Sequence, residues 1–219
     1  MSNLKKPINQ YPIIVSISGA SGSIYGFRLL QFLLEHNYSV EFVISQSAIV
    51  VAKDELGLML SENPDELKEQ VLSYLKLDNA KAENLNVWNY KDIAASISSG
   101  SYKTSGMIII PCSMGTMGAI ASGTSDNLIT RAADVCLKEK RRLVVIPREM
   151  PLNTIHIENM YKLSKLGVTV APACPAFYNQ PKNLSDSIDF VVGKVLDLFD
   201  FDHDLFNRWK KLSYNLQYY

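Results

Sequence analysis

The chain has 219 residues, 47% of them hydrophobic, which is enough to bury a substantial core and fits one domain of the larger kind. Its 22 lysines and arginines balance 22 aspartates and glutamates, so no global field draws it to nucleic acid or to an anionic membrane, and small molecules or copies of itself are the expected partners. Residues 1–10 are polar and lack an apolar signal core, and no run approaches the roughly 20 apolar residues of a membrane span, so the expected location is cytoplasmic.

In chain order, non-alternating apolar runs occur at Ile13–Ile17, Val40–Ile44, Met107–Pro111, Leu143–Ile146 and Val168–Ala171. Between and after them, apolar residues recur at three-to-four spacing over Ser23–His36, Ala48–Leu56, Asp65–Leu75, Met114–Ala121, Asn127–Lys138, Thr154–Leu166 and Ser185–Leu198. Strands buried on both faces and alternating with helices predict an α/β fold: a doubly wound, mostly parallel sheet in a three-layer Rossmann-like or flavodoxin-like arrangement. We expect a single domain over residues 1–219, with 1–10 a flexible N-terminus and 200–219 a tail that packs on a neighbouring subunit. Leu77–Lys103 reads as a connection with a short strand near Asn86–Trp88 and room for a mobile loop. Cys112, Cys136 and Cys174 lack Cys-x-x-Cys pairing and are expected to be buried, reduced thiols. His36, His156 and His203 show no metal-ligand spacing, so no metal is expected.

The first strand stops at Ser18-Gly19-Ala20-Ser21-Gly22, which opens the first helix. Glycine permits a tight turn, and the free N–H groups at a helix start favour an anion, so a phosphate is expected there. The spacing Gly-x-x-Gly-x-x-x-Gly is neither the dinucleotide fingerprint nor a P-loop. A dinucleotide site would also place an acidic residue at the end of the second strand, where this chain has Ser45. A mononucleotide fits better, held by hydroxyls at Ser21, Ser45, Ser113 and Thr116. FMN is the natural candidate, and a sugar or acyl phosphate is the other ligand of this class.

The remaining strand ends carry Cys112-Ser113-Met114-Gly115-Thr116, Pro147-Arg148-Glu149, and Pro172-Ala173-Cys174 running on to Tyr178. In doubly wound sheets ligands bind beyond the carboxyl ends of the strands, so these groups should converge on one cleft. Arg131 and Lys138 lie seven residues apart on one helix, sharing a face to within roughly 20° but separated by about 10 Å along the axis. Such a pair suits a ligand with two anionic regions, two ligands or two subunits, or an ordinary solvated face.

Several long motifs together resemble the UbiX-type flavin prenyltransferases, of the homo-oligomeric flavin-containing decarboxylase-like superfamily. They are Gly19-Ala20-Ser21-Gly22 with Tyr25-Gly26, Asp92-Ile93-Ala94-Ala95-Ser96-Ile97-Ser98-Ser99-Gly100-Ser101, and Pro111–Thr116. Others are Arg131–Val135 with Leu137-Lys138-Glu139, Pro147-Arg148-Glu149, and Pro175–Tyr178. The resemblance covers nearly the whole chain. It implies transfer of a dimethylallyl group from dimethylallyl monophosphate to N5 and C6 of reduced FMN, without a metal, giving prenylated FMN. That product is the cofactor of UbiD-type decarboxylases, which links the family to ubiquinone biosynthesis. The alternative within the same fold is an FMN-dependent decarboxylase of a cysteinyl or aromatic acid substrate, but the Pro-x-Met-Asn segment of the cysteinyl enzymes is absent here.

The resemblance implies that Gly19, Ala20, Ser21, Ser45, Ser113, Met114, Gly115, Thr116 and Arg131 surround FMN. It implies that Lys138, Arg148 and Tyr178 grip the donor phosphate, with help from Lys194 at a position commonly arginine in the family. Lysine keeps the charge but loses the planar fork. Ser21, Glu55, Lys138, Arg148 and Glu149 form the implied catalytic set, and Trp209 either covers the prenyl pocket or packs a tail on a neighbour. A homododecamer is the implied assembly. The chemistry agrees with these residue types: breaking an allylic C–O bond needs cations and hydroxyls to receive the departing phosphate, and forming the flavin bonds needs a base such as Glu149 or the released phosphate.

Overall fold

A computed structural model of the chain describes residues 11–208. These residues fall into two compact units, one ending at Ala173 and carrying the whole sheet, the other beginning at Cys174.

The first unit is built on six parallel strands: β1 (Ile13–Ile17), β2 (Val40–Ile44), β3 (Leu85–Trp88), β4 (Gly106–Cys112), β5 (Leu143–Pro147) and β6 (Thr169–Val170). Their order is β3-β2-β1-β4-β5-β6, the doubly wound order, with the reversal falling between β1 and β4. All residues of β1, β2, β4 and β5 are buried, as expected for strands covered on both faces. The helices of this unit are α1 (Ser23–Glu35), α2 (Gln46–Leu56), α3 (Pro64–Leu75), α4 (Met114–Ser122), α5 (Leu128–Lys138) and α6 (Thr154–Lys165). The core on one side joins Met107 and Ile109 of β4 and Val145 of β5 to Met117 and Ile120 of α4 and Ala132, Ala133 and Cys136 of α5.

Two local features set the shape of the strand ends. Gly26 lets α1 lie close on the sheet: a β-carbon there would stand 2.5 Å from the Ile110 carbonyl oxygen and 2.6 Å from the Ile17 side chain. Pro111 has no N–H to give the ladder, and the β4–β5 register slips between Ile109 and Cys112. The Pro111 carbonyl instead accepts from the Ser18 amide at 3.1 Å and the Ser18 hydroxyl at 3.2 Å. Ser18 also accepts from the Ser113 amide at 2.8 Å, so one buried hydroxyl ties the β1 end to the β4 end at the reversal point.

The expected elements are present, with three differences. The last strand is shorter than Val168–Ala171, spanning only Thr169–Val170 at the sheet edge, where one side lacks a partner to extend it. The Leu77–Lys103 connection holds β3 and two short 3₁₀ turns, Asn79–Asn84 and Ser96–Ser98. Cys112 and Cys136 are buried and burial pushes both thiols up to about 12, but Cys174 is exposed, contrary to expectation, because it lies past the last strand with no sheet neighbour to cover it.

The second unit contains α7 (Leu184–Asp197), started by Asn183, whose side chain accepts from the Asp186 amide at 3.0 Å. The chain then folds back so that the Phe206 ring lies 4.9 Å from that of Phe190 and against Gly193. Asp197 gathers Arg208 at 2.7 Å, His203 at 3.1 Å and Lys194 at 3.3 Å. Burial favours the neutral acid, yet hydrogen bonds from Arg208, Lys194 and His203 hold the Asp197 carboxyl below its ordinary range.

Candidate active site

The carboxyl ends of β1, β2 and β4 each lead directly into a helix, so three helix N-termini open on the same edge of the sheet. At β1 the turn requires Gly22, which has φ 101° and ψ 32°, a left-handed conformation that a side chain resists. The turn has no side-chain cap of its own. Its amides are met instead by Glu55, from the last turn of α2 and 33 residues away. Both carboxylate oxygens accept from the Gly22 amide, at 2.9 and 3.0 Å, and one also accepts from Ser23 at 3.1 Å.

The chain's own Glu55 carboxylate thus lies where the helix dipole and open N–H groups favour negative charge. Burial alone pushes Glu55 up. The Ser21 hydroxyl, the two amides and the nearby Arg148 charge outweigh that and hold it below the ordinary carboxylate range. Arg148 follows β5 and its stem passes Gly22, with Cδ 3.5 Å from where a β-carbon of Gly22 would stand. Ser21, Glu55 and Arg148 therefore meet around Gly22, a grouping drawn from two strand-end loops and one helix end.

At β2, Ser45 caps α2 by accepting from the Ala48 amide at 3.1 Å and contacts the Ser47 hydroxyl at 3.0 Å. Gly19 packs directly on Ser47. At β4, Ser113 caps α4, accepting from the Thr116 amide at 3.2 Å and donating to the Thr116 hydroxyl at 3.0 Å. The amides of Met114 and Gly115 have no partner among the described residues, and space is open around Gly115 where a side chain would stand. The start of α4 thus offers the free N–H groups and the room that the start of α1 lacks. Donors and space of this kind fit a mononucleotide phosphate.

The other expected residues are placed as follows. Arg131 pairs with Asp134 at 3.4 Å, and Lys138 stands 3.9 Å from Glu139; each is partly exposed on α5, and neither bonds to the Gly22 group. Glu149 accepts from the Met150 amide at 3.1 Å. Within the second unit, Tyr178 packs edge-on to Phe190 at 5.8 Å and Lys194 is engaged with Asp197. Trp209 lies outside the described residues. No cluster of metal-ligating side chains occurs among the described residues.

One buried charge lies apart from these groups and was missed in the sequence. Glu41, in the middle of β2 and fully buried, accepts from Trp88 Nε1 at 2.5 Å, Tyr102 Oη at 2.6 Å and Asn86 Nδ2 at 3.1 Å. Burial and the adjacent carboxylate push the Tyr102 hydroxyl up to about 12. The available signal was a lone carboxylate inside an apolar strand, Val40-Glu41-Phe42-Val43-Ile44.

A parallel sheet in the order β3-β2-β1-β4-β5-β6, with three helix starts at the reversal of strand order and one of them open to a phosphate, defines a Rossmann-like mononucleotide-binding protein. The Flavoprotein family profile matches residues 1–196. The chain is 50% identical over 195 residues to the flavin prenyltransferase UbiX of Halalkalibacterium halodurans, covering 89% of this chain and 91% of that protein. It superposes on the crystal structure of AnUbiX (PadA1) in complex with FMN and dimethylallyl pyrophosphate with a TM-score of 0.79 at 40% identity, covering 92% of this chain and 98% of that one. It matches a dodecameric FMN-dependent UbiX-like decarboxylase from Escherichia coli O157:H7 with a TM-score of 0.78 at 43% identity, over 90% and 98% of the two chains. The chain belongs to the flavoprotein family and, within it, to the UbiX flavin prenyltransferases.

Proposed function

We infer that the chain is a flavin prenyltransferase that joins a dimethylallyl group from dimethylallyl monophosphate to N5 and C6 of reduced FMN, giving prenylated FMN. The observation that carries this is similarity to UbiX proteins at 40–50% identity along about nine-tenths of both chains, which includes every strand end described above. FMN supplies the nucleophilic ring atoms. The open amides at Met114 and Gly115 would receive its phosphate, with Ser113 and Thr116 at the same helix start and Gly19, Ala20 and Ser45 along the neighbouring loops. Ser21 and Arg148 would face the departing donor phosphate, where a cation and a hydroxyl stabilise charge as the C–O bond breaks. Glu55 holds Ser21 and faces Arg148, and Glu149 would take or relay protons.

Lys138, Tyr178, Lys194 and Trp209 complete the proposed donor site, and Arg131 the flavin site. The proposal extends to a homododecamer acting in the cytoplasm and passing its product to a UbiD-type decarboxylase. No helix among the described residues is long and apolar enough to cross a membrane. The test is anaerobic incubation of the protein with FMN, a reductant and dimethylallyl monophosphate, followed by mass spectrometry of the flavin. A flavin heavier by the prenyl group is the expected result, and an unchanged flavin mass overturns the reading.

A further inference from the structure

The serine-rich stretch Asp92–Ser101 is a long motif that contributes none of the ligand-binding groups above. Its position is nonetheless tightly determined. Ala95 and Ile97 are buried in the core cluster that contains Ala132, Ala133 and Cys136 of α5. Arg141, just past the end of α5, donates to the Gly100 carbonyl at 2.5 Å, the Tyr102 carbonyl at 2.7 Å and the Thr104 hydroxyl at 3.4 Å. Tyr102 is anchored from the opposite side by the buried Glu41.

Besides the Arg141 bonds, this fixed loop touches the end of α5 through Gly100. The Glu139 carboxylate lies against Gly100 so closely that a β-carbon on Gly100 would stand 2.9 Å from Glu139 Cδ and nearer still to an oxygen. The same carboxylate stands 3.9 Å from Lys138 Nζ. Lysine is a point charge on a flexible four-carbon stem, so on a half-exposed helix end it samples many rotamers unless something restricts it. The Glu139 pair is too exposed to add much stability, but a carboxylate held in place by a rigid backbone limits where the ammonium group rests.

We propose that the Ser96–Tyr102 loop is a positioning element for Lys138, acting through the contact of Gly100 with Glu139. This rests on the reading that Lys138 grips the donor phosphate. Gly100→Ala displaces the Glu139 carboxylate and loosens Lys138 without touching the open amides of α4.

The experiment measures donor KM, kcat and FMN Kd at 0.15 M salt for the parent, Gly100→Ala, Lys138→Ala and the double variant. Gly100→Ala is expected to raise donor KM about fivefold, with kcat and FMN Kd within about twofold of the parent. In the Lys138→Ala background the same change should add less than twofold. A merely structural role would shift FMN Kd and melting temperature as well. Equal effects of Gly100→Ala with and without Lys138, or no effect on donor KM, overturn the proposal while leaving the prenyltransferase reading intact. If Lys138→Ala itself leaves donor KM unchanged, Lys138 is not a phosphate ligand and both statements fall. Should Gly100→Ala not fold, Glu139→Gln tests the same link: a rise in donor KM that disappears in Lys138→Ala supports it, and a Lys138-independent change or none overturns it.

Discussion

Glu55 shows how one side chain alters the meaning of a motif. Glycine-rich strand-to-helix turns favour anions because the first amides of the helix lack partners, and here the Glu55 carboxylate meets the amides of Gly22 and Ser23. The consequence for pH has a definite sign. An unfolded glutamate titrates near about 4.3, and folding holds Glu55 below its ordinary range, so the ionised contact stabilises the native state above that pH. The contribution is lost as pH falls through the unfolded value toward the folded one. Glu55→Gln keeps the shape and removes the titration. The parent should therefore melt at a higher temperature than Glu55→Gln at pH 7, and the difference should shrink between pH 5 and pH 3. Thermal melts across that window check it, and a difference that stays constant with pH would show that the carboxylate does not occupy the α1 start in solution.

At the scale of elements, most of the fold was legible because buried parallel strands read as unbroken apolar runs and every α-helix except α1 carries its own side-chain cap. Asn63, Asn127, Asn153 and Asn183 start α3, α5, α6 and α7, and Pro64 occupies the first turn of α3. The site was legible as a set of strand ends but not as a set of contacts. Ser45 and Ser113, expected as phosphate hydroxyls, also cap α2 and α4, a role that the strand-end spacing did not reveal. The Glu55 contact spans 33 residues and the Glu41 contacts span 45 to 61, distances at which periodicity carries no information. The open start of α4 follows from this comparison and supports a prediction. Gly115→Asp places a carboxylate in the first turn, which the helix dipole favours by about 0.3–1 kcal/mol, and it fills the space around the open amides. Its melting temperature should equal or exceed that of the parent, while FMN affinity drops at least about tenfold by repulsion of the phosphate. A flavin titration decides: unchanged affinity would move the phosphate away from α4.

At the scale of the whole molecule, α6 is the element whose burial its sequence explains least well. Only Leu163 of this helix is buried, while Ile155 is 65% exposed, Ile157 55% and Tyr161 66%. Ile157 and Tyr161 lie four residues apart, so they stand together on one side of the helix and present a continuous apolar strip. Strips of this kind on a helix that already contacts α4 mark an interface more often than a solvated face. On the homododecamer proposed above, a further copy of this chain is the natural occupant, and in a closed symmetric assembly one contact is repeated in every subunit. Burying such a side chain contributes about 1.5–3 kcal/mol, and substituting lysine both removes that and places a charge in the contact. The parent should therefore scatter light as about twelve chains, and the double variant Ile157→Lys, Tyr161→Lys should scatter as a smaller assembly while its far-ultraviolet circular dichroism stays that of the parent. Twelve chains in both proteins would place the subunit contacts elsewhere. A change in the dichroism would instead mean that the strip supports the fold of α6 itself, through the packing of Leu163.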